Sequence, residues 1–197
     1  MTKIIIATKN RGKAREYQQL FAKKGIQIKT LNDFGSIPQA RETGHSFAEN
    51  ALIKASAAVK HFHLPALADD SGLEVHSIND EPGIYSARYA GDHDDLANQR
   101  KLLRRLSGHH DRRATFVTCL ILLKPNQKRL ITVGKLNGII LRHPRGQNGF
   151  GYDPLFYVPS RHRTLAEMTT AEKDSISHRG IAARKMMDRF DDWWRNH

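Results

Sequence analysis

The chain has 197 residues, a length at which one domain can bury a core of its own without disulfides. Its 32 basic and 20 acidic side chains give a formal net charge of +12, which favours an anionic ligand, either a nucleic acid or a small, highly charged anion. The single cysteine, Cys119, lies in an apolar run, so a disulfide scaffold is excluded and a buried strand thiol is expected. With no long apolar run to span a membrane, we expect a soluble protein of the reducing cytoplasm.

The amino-terminal half is predicted to alternate strands and helices. Residues 3–8 are predicted to form a buried strand, residues 11–24 a helix, and residues 27–31 a second strand. Ser46, followed three residues later by Glu49, predicts a capping box at the start of a further helix. This order is typical of an α/β fold.

Later elements predict an antiparallel part of the same sheet. In order they are a strand at residues 73–78, a helix at 94–106, strands at 114–124 and 129–141 joined as a hairpin, a short strand at 155–158 and a helix at 177–194. The fold predicted is mixed α/β, with a strongly twisted central sheet flanked by helices. We expect two lobes with an active-site cleft between them, within a single domain over residues 1–197.

Two adjacent acids, Asp69 and Asp70, interrupt an apolar segment that otherwise predicts a buried strand. Burying a carboxylate is costly unless a cation or hydrogen-bond donors compensate, and a divalent metal is the simplest such partner. The alternative is a strand that ends at Ala68 and enters an Asp-Ser-Gly turn. This stretch alone leaves both interpretations open.

The loop at residues 8–13 is basic and lies between the first strand and the first helix. Backbone N–H groups at a helix N-terminus favour an anion, so this loop is a candidate phosphate site. Its spacing is not that of the Gly-rich phosphate loop of common NTPases. A solvated basic loop is the alternative.

The stretch Phe-Gly-Tyr-Asp at residues 150–153 places an aromatic ring beside glycines that permit close approach. Such a ring can stack on a nucleobase, which contributes about 1–3 kcal/mol and hardly depends on which base is present. Lys173, His178 and Arg179 add cationic donors near the last helix. The alternative is a tight turn with a core phenylalanine and surface cations.

Six separated segments occur in an order that defines a family. They are residues 7–13, 42–51, 68–73, 82–88 (Pro-Gly-Ile-Tyr-Ser-Ala-Arg), 149–154 (Gly-Phe-Gly-Tyr-Asp-Pro) and 177–180 (Ser-His-Arg-Gly). With these segments the chain resembles the inosine triphosphate pyrophosphatase family, also described as HAM1-like or noncanonical purine nucleoside triphosphate pyrophosphatases. The resemblance covers essentially the whole chain.

The resemblance implies a Mg²⁺-dependent enzyme of nucleotide-pool cleansing. It would hydrolyse noncanonical purine nucleoside triphosphates, namely ITP, XTP and their deoxy forms, between the α and β phosphates, releasing the monophosphate and pyrophosphate. The resemblance also implies a homodimer. Its only other partner is the small-molecule triphosphate, with no membrane association and no stable nucleic-acid complex.

The resemblance also implies roles for individual residues. Asp70 matches the general base and metal ligand, Asp69 supports the metal or the water, and Lys13 and Lys54 act on the phosphate side. Further substrate contacts are implied at Thr8, Lys9, Asn10, Arg11, Gly12, Ser71, Phe150, Gly151, Tyr152, Asp153, Lys173, His178 and Arg179.

One position departs from the family pattern. The family often has two consecutive acids before Thr-Gly or Asp-Gly, whereas this chain has Arg41 followed by Glu42. The first acid is therefore missing, and Glu42 is expected to serve as the second metal ligand beside Asp70.

Two other functions stay open at this point. A nucleic-acid-binding module is suggested by the net charge and by Tyr85, Arg88 and Tyr89, and it predicts affinity that falls steeply with salt. A triphosphate pocket for a different base is also possible, because a fold does not fix its substrate.

Overall fold

The computed structural model describes residues 3–22, 24–34, 40–91 and 94–195, apart from the side chains of Arg11, Glu16 and Leu20. Its strands are β1 (Lys3–Ile6), β2 (Gln27–Thr30), β3 (Ala66–Val75), β4 (Glu81–Gly83), β5 (Arg113–Leu123), β6 (Arg129–Ile140), β7 (Phe156–Val158) and β8 (Arg163–Thr164). Its α-helices are α1 (Arg11–Ala22), α2 (Phe47–Phe62), α3 (Asp95–Arg105), α4 (Thr170–Ile176) and α5 (His178–Arg195).

The strands form one mixed sheet in the order β2-β1-β3-β5-β6-β7-β8, with β4 beside β3. Strand β1 is parallel to β2 and β3, whereas β4 is antiparallel to β3, and β7 is antiparallel to β6 and β8. Between the neighbours β5 and β6 the Lys124 N–H donates to the Lys128 carbonyl at 2.9 Å, closing the predicted hairpin. The prediction of a mixed α/β sheet is confirmed.

The chain divides into two compact units. The first unit comprises Met1–Asp70, Cys119–Val133 and Ala182–His197, and the second comprises Ser71–Thr118 and Gly134–Ile181. Strands β3, β5 and β6 each contribute residues to both units. The expectation of one domain over residues 1–197 stays a prediction.

The first unit has a core on each face of its strands. Leu67 of β3 belongs to a cluster with Tyr17 and Phe21 of α1, and α5 adds to the same cluster. Ala66 and Ala68 instead belong to a cluster with α2. Successive side chains of a strand point to opposite faces, and here each face is covered by a core. This is why β3 is apolar at every position before its two acids.

A cluster of buried apolar residues forms a core in the second unit. It contains Leu102 of α3, Leu106 directly after this helix, Phe116 of β5 and Phe156 of β7, all buried. The rings of Phe116 and Phe156 lie 4.5 Å apart, centroid to centroid. Helix α3 is thereby fixed against the strands, and its first turns face residues 149–153, which we call the aromatic loop. None of the helices in the described ranges combines the length and apolar composition needed to cross a membrane.

The turn alternative at the two acids is wrong. Strand β3 runs unbroken from Ala66 to Val75. The predicted strand at residues 73–78 is correct only as far as Val75, because His76–Ile78 form a 3-10 helix. Leu67 pairs with β1 and Leu73 pairs with β4, so neighbouring strands hold both ends of the segment extended. Strand pairing therefore overrides the local turn preference of Asp-Ser-Gly.

Helix starts were predicted better than the small elements between them. The Ser46 hydroxyl accepts from the Glu49 N–H at 3.2 Å, as predicted, but the Glu49 carboxylate accepts from His45 N at 2.8 Å rather than from Ser46 N. Helix α4 and strands β4 and β8 were missed. The signal for α4 was present, because Thr169 and Glu172 form a capping box at its start.

Candidate active site

Asp69 and Asp70 point to opposite faces of β3, and each has its own lysine. Asp69 Oδ2 lies 2.7 Å from the Lys13 Nζ of α1, and Asp70 Oδ1 lies 3.1 Å from the Lys54 Nζ of α2. The carboxylate side chains are only 2% and 9% exposed. The buried charges predicted from sequence are thus compensated by cations of this chain.

Helix α2 presents two donors to Asp70 from adjacent turns. Asn50 and Lys54 are four residues apart and therefore share one face of the helix. Asn50 Nδ2 donates to Asp70 Oδ2 at 3.2 Å, while Lys54 Nζ donates to Oδ1. The same Asn50 side chain accepts from Gly44 N at 2.9 Å, so it ties the segment after Glu42 to the acid. Sequence reasoning missed Asn50 as a site residue, although its spacing from Lys54 was a usable signal.

Lys54 lies between two carboxylates. Its Nζ is 2.8 Å from Glu42 Oε1 as well as 3.1 Å from Asp70 Oδ1. Burial and the charge of Glu42 raise the pKa of Asp70, against the lowering effect of Lys54 and Asn50. Burial alone would lower the pKa of Lys54, but the charges of Asp70, Asp69 and Glu42 raise it above its ordinary value.

Glu42 and Asp70 form a donor set that suits a hard divalent cation. Both supply carboxylate oxygens, and Mg²⁺ is usually held by one or two carboxylates together with substrate phosphates. The raised pKa of Asp70 means that its ionised form gains from further positive charge nearby. Over the described ranges, no group of three or more His, Cys, Asp or Glu side chains is arranged to hold a metal ion.

The basic loop before α1 is shaped by its own polar side chains. Thr8 Oγ1 accepts from Asn10 N at 3.2 Å, and Asn10 Oδ1 accepts from Lys13 N at 3.1 Å. Lys9 is exposed. An added Cβ at Gly12 would lie 3.2 Å from Asn10 Oδ1, so the loop leaves little room for a side chain at residue 12. The side chain of Arg11 falls outside the described residues, and its predicted substrate contact stays a prediction.

In the second unit, one half-exposed ring lies against two cations. Phe150 is 40% exposed, and its ring centroid lies 4.9 Å from Lys173 Nζ and 5.0 Å from Arg179 Cζ. Asp153 forms an ion pair with Lys173 and accepts from Phe150 N at 2.9 Å. The structure therefore brings Phe150, Asp153, Lys173 and Arg179 together, as expected of a base-recognition set.

Three other predicted contact residues have structural partners. The buried Tyr152 hydroxyl donates to the Ser86 carbonyl at 2.9 Å, and burial raises the pKa of this phenol. The buried His178 ring stacks on Phe116, with centroids 4.8 Å apart and planes inclined by 8°. The Ser71 hydroxyl is 2.7 Å from the hydroxyl of Thr118. Their predicted contacts with substrate stay predictions.

Cys119 is a buried strand thiol, as predicted. It is 2% exposed within the core that faces α2. Burial, together with the charges of Asp70 and Asp69, raises its pKa to about 11. The thiol is therefore protonated at neutral pH and is a poor nucleophile.

The aromatic loop places Gly149 where a side chain cannot fit, which allows a test with a matched control. Gly149 has a φ of +80°, and an added Cβ would collide with the Asp153 carboxylate. Gly108 also has a φ of +80°, but nothing lies within 4 Å of its Cβ position. We expect Gly108→Ala to cost about 1 kcal/mol from backbone strain alone.

Gly149→Ala should lose about 1–3 kcal/mol more than the control, because the collision adds to the same strain. Urea unfolding of both variants measures the two losses. Equal losses would show that the packing of Asp153 against this glycine does not restrict the loop.

Residues 4–189 match the model of the Ham1 family. A dITP/XTP pyrophosphatase from Lactiplantibacillus plantarum is 53% identical over 193 residues, which cover 97% of this chain and 96% of that protein. A dITP/XTP pyrophosphatase from Geobacillus kaustophilus is 46% identical over 195 residues, covering 98% and 96%.

Solved structures show the same likeness. A HAM1 protein from Coxiella burnetii superimposes with a TM-score of 0.91 at 43% identity, covering 98% of this chain and 100% of that chain. The Ham1 protein of Staphylococcus aureus gives a TM-score of 0.89 at 39% identity, covering 97% and 99%.

Proposed function

The chain belongs to the Ham1 family, and on this premise we propose that it hydrolyses noncanonical purine nucleoside triphosphates to the monophosphate and pyrophosphate. The substrates proposed are dITP, ITP, XTP and dXTP, in line with the relatives named dITP/XTP pyrophosphatase. One observation carries the proposal: the buried acids Asp69 and Asp70 each contact a lysine from a different helix. Carboxylates and ammonium groups at such spacing suit hydrolysis of a polyanionic phosphoanhydride.

Each side chain of the first unit has a proposed task. Lys13, at the start of α1, and Lys54 neutralise charge that builds up on the phosphates during cleavage. Asp70 orients the attacking water and accepts its proton, for which its raised pKa makes it a better base than an ordinary aspartate. Asn50 holds Asp70 in the orientation that this task needs.

We propose Glu42 and Asp70 as the residues that hold Mg²⁺. When bound, the ion supplies Lewis-acid charge neutralisation at the triphosphate. Arg41 stands where the family resemblance implies an acid, which leaves Glu42 as the proposed ligand on this segment. In line with this, Glu42 is the residue that contacts Lys54. Removal of divalent ions with EDTA should abolish hydrolysis, and added Mg²⁺ should restore it.

Phe150 and the two cations beside it, Lys173 and Arg179, are proposed to recognise the base. Phe150 stacks on the purine, while the cations beside it donate to the 6-oxo group that hypoxanthine and xanthine share. Adenine presents an amino donor at that position, so these cations would face another donor without an acceptor. ATP is therefore expected to be a poor substrate.

The proposal is tested by the identity of the released product. The purified protein is incubated with Mg²⁺ and dITP, ITP, XTP, GTP or ATP in separate reactions, and pyrophosphate and orthophosphate are measured separately. Pyrophosphate from dITP, ITP and XTP, with little from ATP, supports the proposal. Orthophosphate would place the cut at another bond, and salt-sensitive DNA or RNA binding without hydrolysis would favour a nucleic-acid-binding module.

The pH profile tests the role of Asp70. Because ionised Asp70 is required, kcat/KM should fall as the pH is lowered through the raised pKa of this group. The negative charge of Glu42 contributes to that rise, so Glu42→Gln should shift the acid limb of the profile to lower pH.

Glu74→Gln is the control for the pH profile. Burial raises the pKa of Glu74 too, but this residue lies in the second unit and has no proposed role in the reaction. The control should leave the acid limb in place. An unmoved limb in Glu42→Gln would refute the assignment of that limb to Asp70.

The homodimer and the cytoplasmic location implied by the family resemblance are part of this proposal. Light scattering at several protein concentrations tests the dimer. A mass twice that of one chain supports it, and the mass of a single chain at all concentrations contradicts it.

A further inference from the structure

One face of α3 holds the backbone of the residue that follows Phe150. Asp95 Oδ2 accepts from the Gly151 N–H at 2.7 Å, and Gln99 Nε2 donates to the Gly151 carbonyl at 2.5 Å. Residues 95 and 99 are four apart, so both side chains leave the helix on the same side. Both backbone polar groups of a single glycine are thus bound by one helix.

The other side of Phe150 is held as well. Its own N–H donates to the Asp153 carboxylate at 2.9 Å. Gly151 has a φ of +62°. A glycine can adopt many other backbone conformations, so hydrogen bonds are needed to hold it in this one. The hydrogen bonds therefore fix the backbone on both sides of a side chain that is itself 40% exposed.

We infer that Asp95 and Gln99 are positioning residues that set the Phe150 ring for stacking on the base. The inference rests on the proposed function, in which that ring binds the purine. When the loop already holds the ring in its binding orientation, less conformational entropy is lost as the nucleotide binds. Neither residue carries a role in the family resemblance stated in the sequence analysis.

A purely structural role for these residues makes a different prediction. Asp95 lies in the first turn of α3, where its negative charge also interacts favourably with the helix dipole. Asp95→Asn removes the charge but keeps an oxygen that accepts from Gly151 N, whereas Asp95→Ala removes both. We expect Asp95→Asn to retain the wild-type KM for ITP, and Asp95→Ala to raise it.

Gln99→Met tests the second bond at nearly constant volume. Gln99 is buried, and methionine fills similar space without a donor. We expect KM for ITP to rise about tenfold, the effect of one lost hydrogen bond, with kcat changed by less than about twofold. In a Phe150→Ala background the same substitution should change KM no further, because the ring it positions is absent.

Several kinetic results would overturn the inference. One is an unchanged KM in Gln99→Met. Another is an equal KM rise with and without Phe150, which would show that the substitution acts on stability rather than through the ring. An equal rise in KM for Asp95→Asn and Asp95→Ala would likewise assign the rise to the lost charge at the start of α3 rather than to the lost hydrogen bond.

Amide hydrogen exchange provides a measurement that does not depend on activity. In the nucleotide-free protein, Gln99→Met and Asp95→Ala should speed exchange in peptides that cover residues 149–153, while α5 peptides keep their wild-type rates. Unchanged exchange in that loop would overturn the inference. If the wild-type protein hydrolyses no triphosphate, the proposed function fails separately, and the exchange result still decides whether α3 holds the loop.

Discussion

Asp70→Asn is expected to lower kcat/KM for dITP by about 10³-fold or more, since it removes the proposed base and a proposed ligand of the metal together. The folded protein should not lose stability with this change. The pKa of Asp70 is raised above its ordinary value of 3.8, so the folded state binds that proton more tightly than the unfolded state does. Ionised Asp70 therefore costs stability at neutral pH, and asparagine avoids this cost.

Steady-state kinetics and thermal unfolding of the same sample check both halves of this prediction. The wild-type protein should become more stable as the pH falls through the raised pKa of Asp70, whereas Asp70→Asn should lack that gain. Glu74→Gln again serves as the control and should keep full activity. Substantial activity in Asp70→Asn would remove Asp70 from the chemistry.

Lys54→Met should damage both stability and activity. It removes a cation that contacts both Glu42 and Asp70. Breaking a largely buried ion pair from one side costs about 3 kcal/mol, because the remaining charges stay desolvated. Loss of a positive charge at the proposed phosphate site should lower kcat by about 10²-fold or more.

Lys24→Met is a matched control in the same unit. Its Nζ lies 2.6 Å from Asp191, but the two side chains are 29% and 55% exposed. A pair of this kind contributes at most about 1 kcal/mol, so the control should lose little stability and no activity.

Chemical unfolding at several pH values separates the two lysines. The loss in free energy of unfolding caused by Lys54→Met should shrink as the pH is lowered, because protonation of Asp70 removes one of the unpaired charges. A deficit no larger than that of Lys24→Met would show that the Glu42–Lys54–Asp70 contacts contribute little to stability.

The sequence predicts most of the strands and helices because their signals are local. The continuous apolar runs of β1 and β5 and the caps at Ser46 and Asp94 indicate those elements, and the structure places them within a few residues of the predicted bounds. Local signals failed at β3, where pairing with three other strands, β1, β4 and β5, decides the conformation.

The site residues were predicted from motifs, but their pairing was not. Lys13 and Asp69 are 56 residues apart in the chain, as are Asp95 and Gly151, and no periodic pattern connects such positions. Only the strand order and the packing of the helices decide which lysine contacts which acid. Gln99 was missed for the same reason, since its amide acts on backbone rather than on another motif.

The unbroken course of β3 makes strand register part of the chemistry. Ala66 and Leu67 are fixed opposite β1, and Leu73 opposite β4, so residues 69 and 70 have no freedom to shift between them. Inserting or deleting one residue just before the acids would turn each of them to the other face, so that one lysine would meet the carboxylate of the other acid and the second lysine would meet none. A change of length at this point would thus destroy the site even though both acids are still present, whereas a substitution at a neighbouring apolar position leaves the register of the acids unchanged.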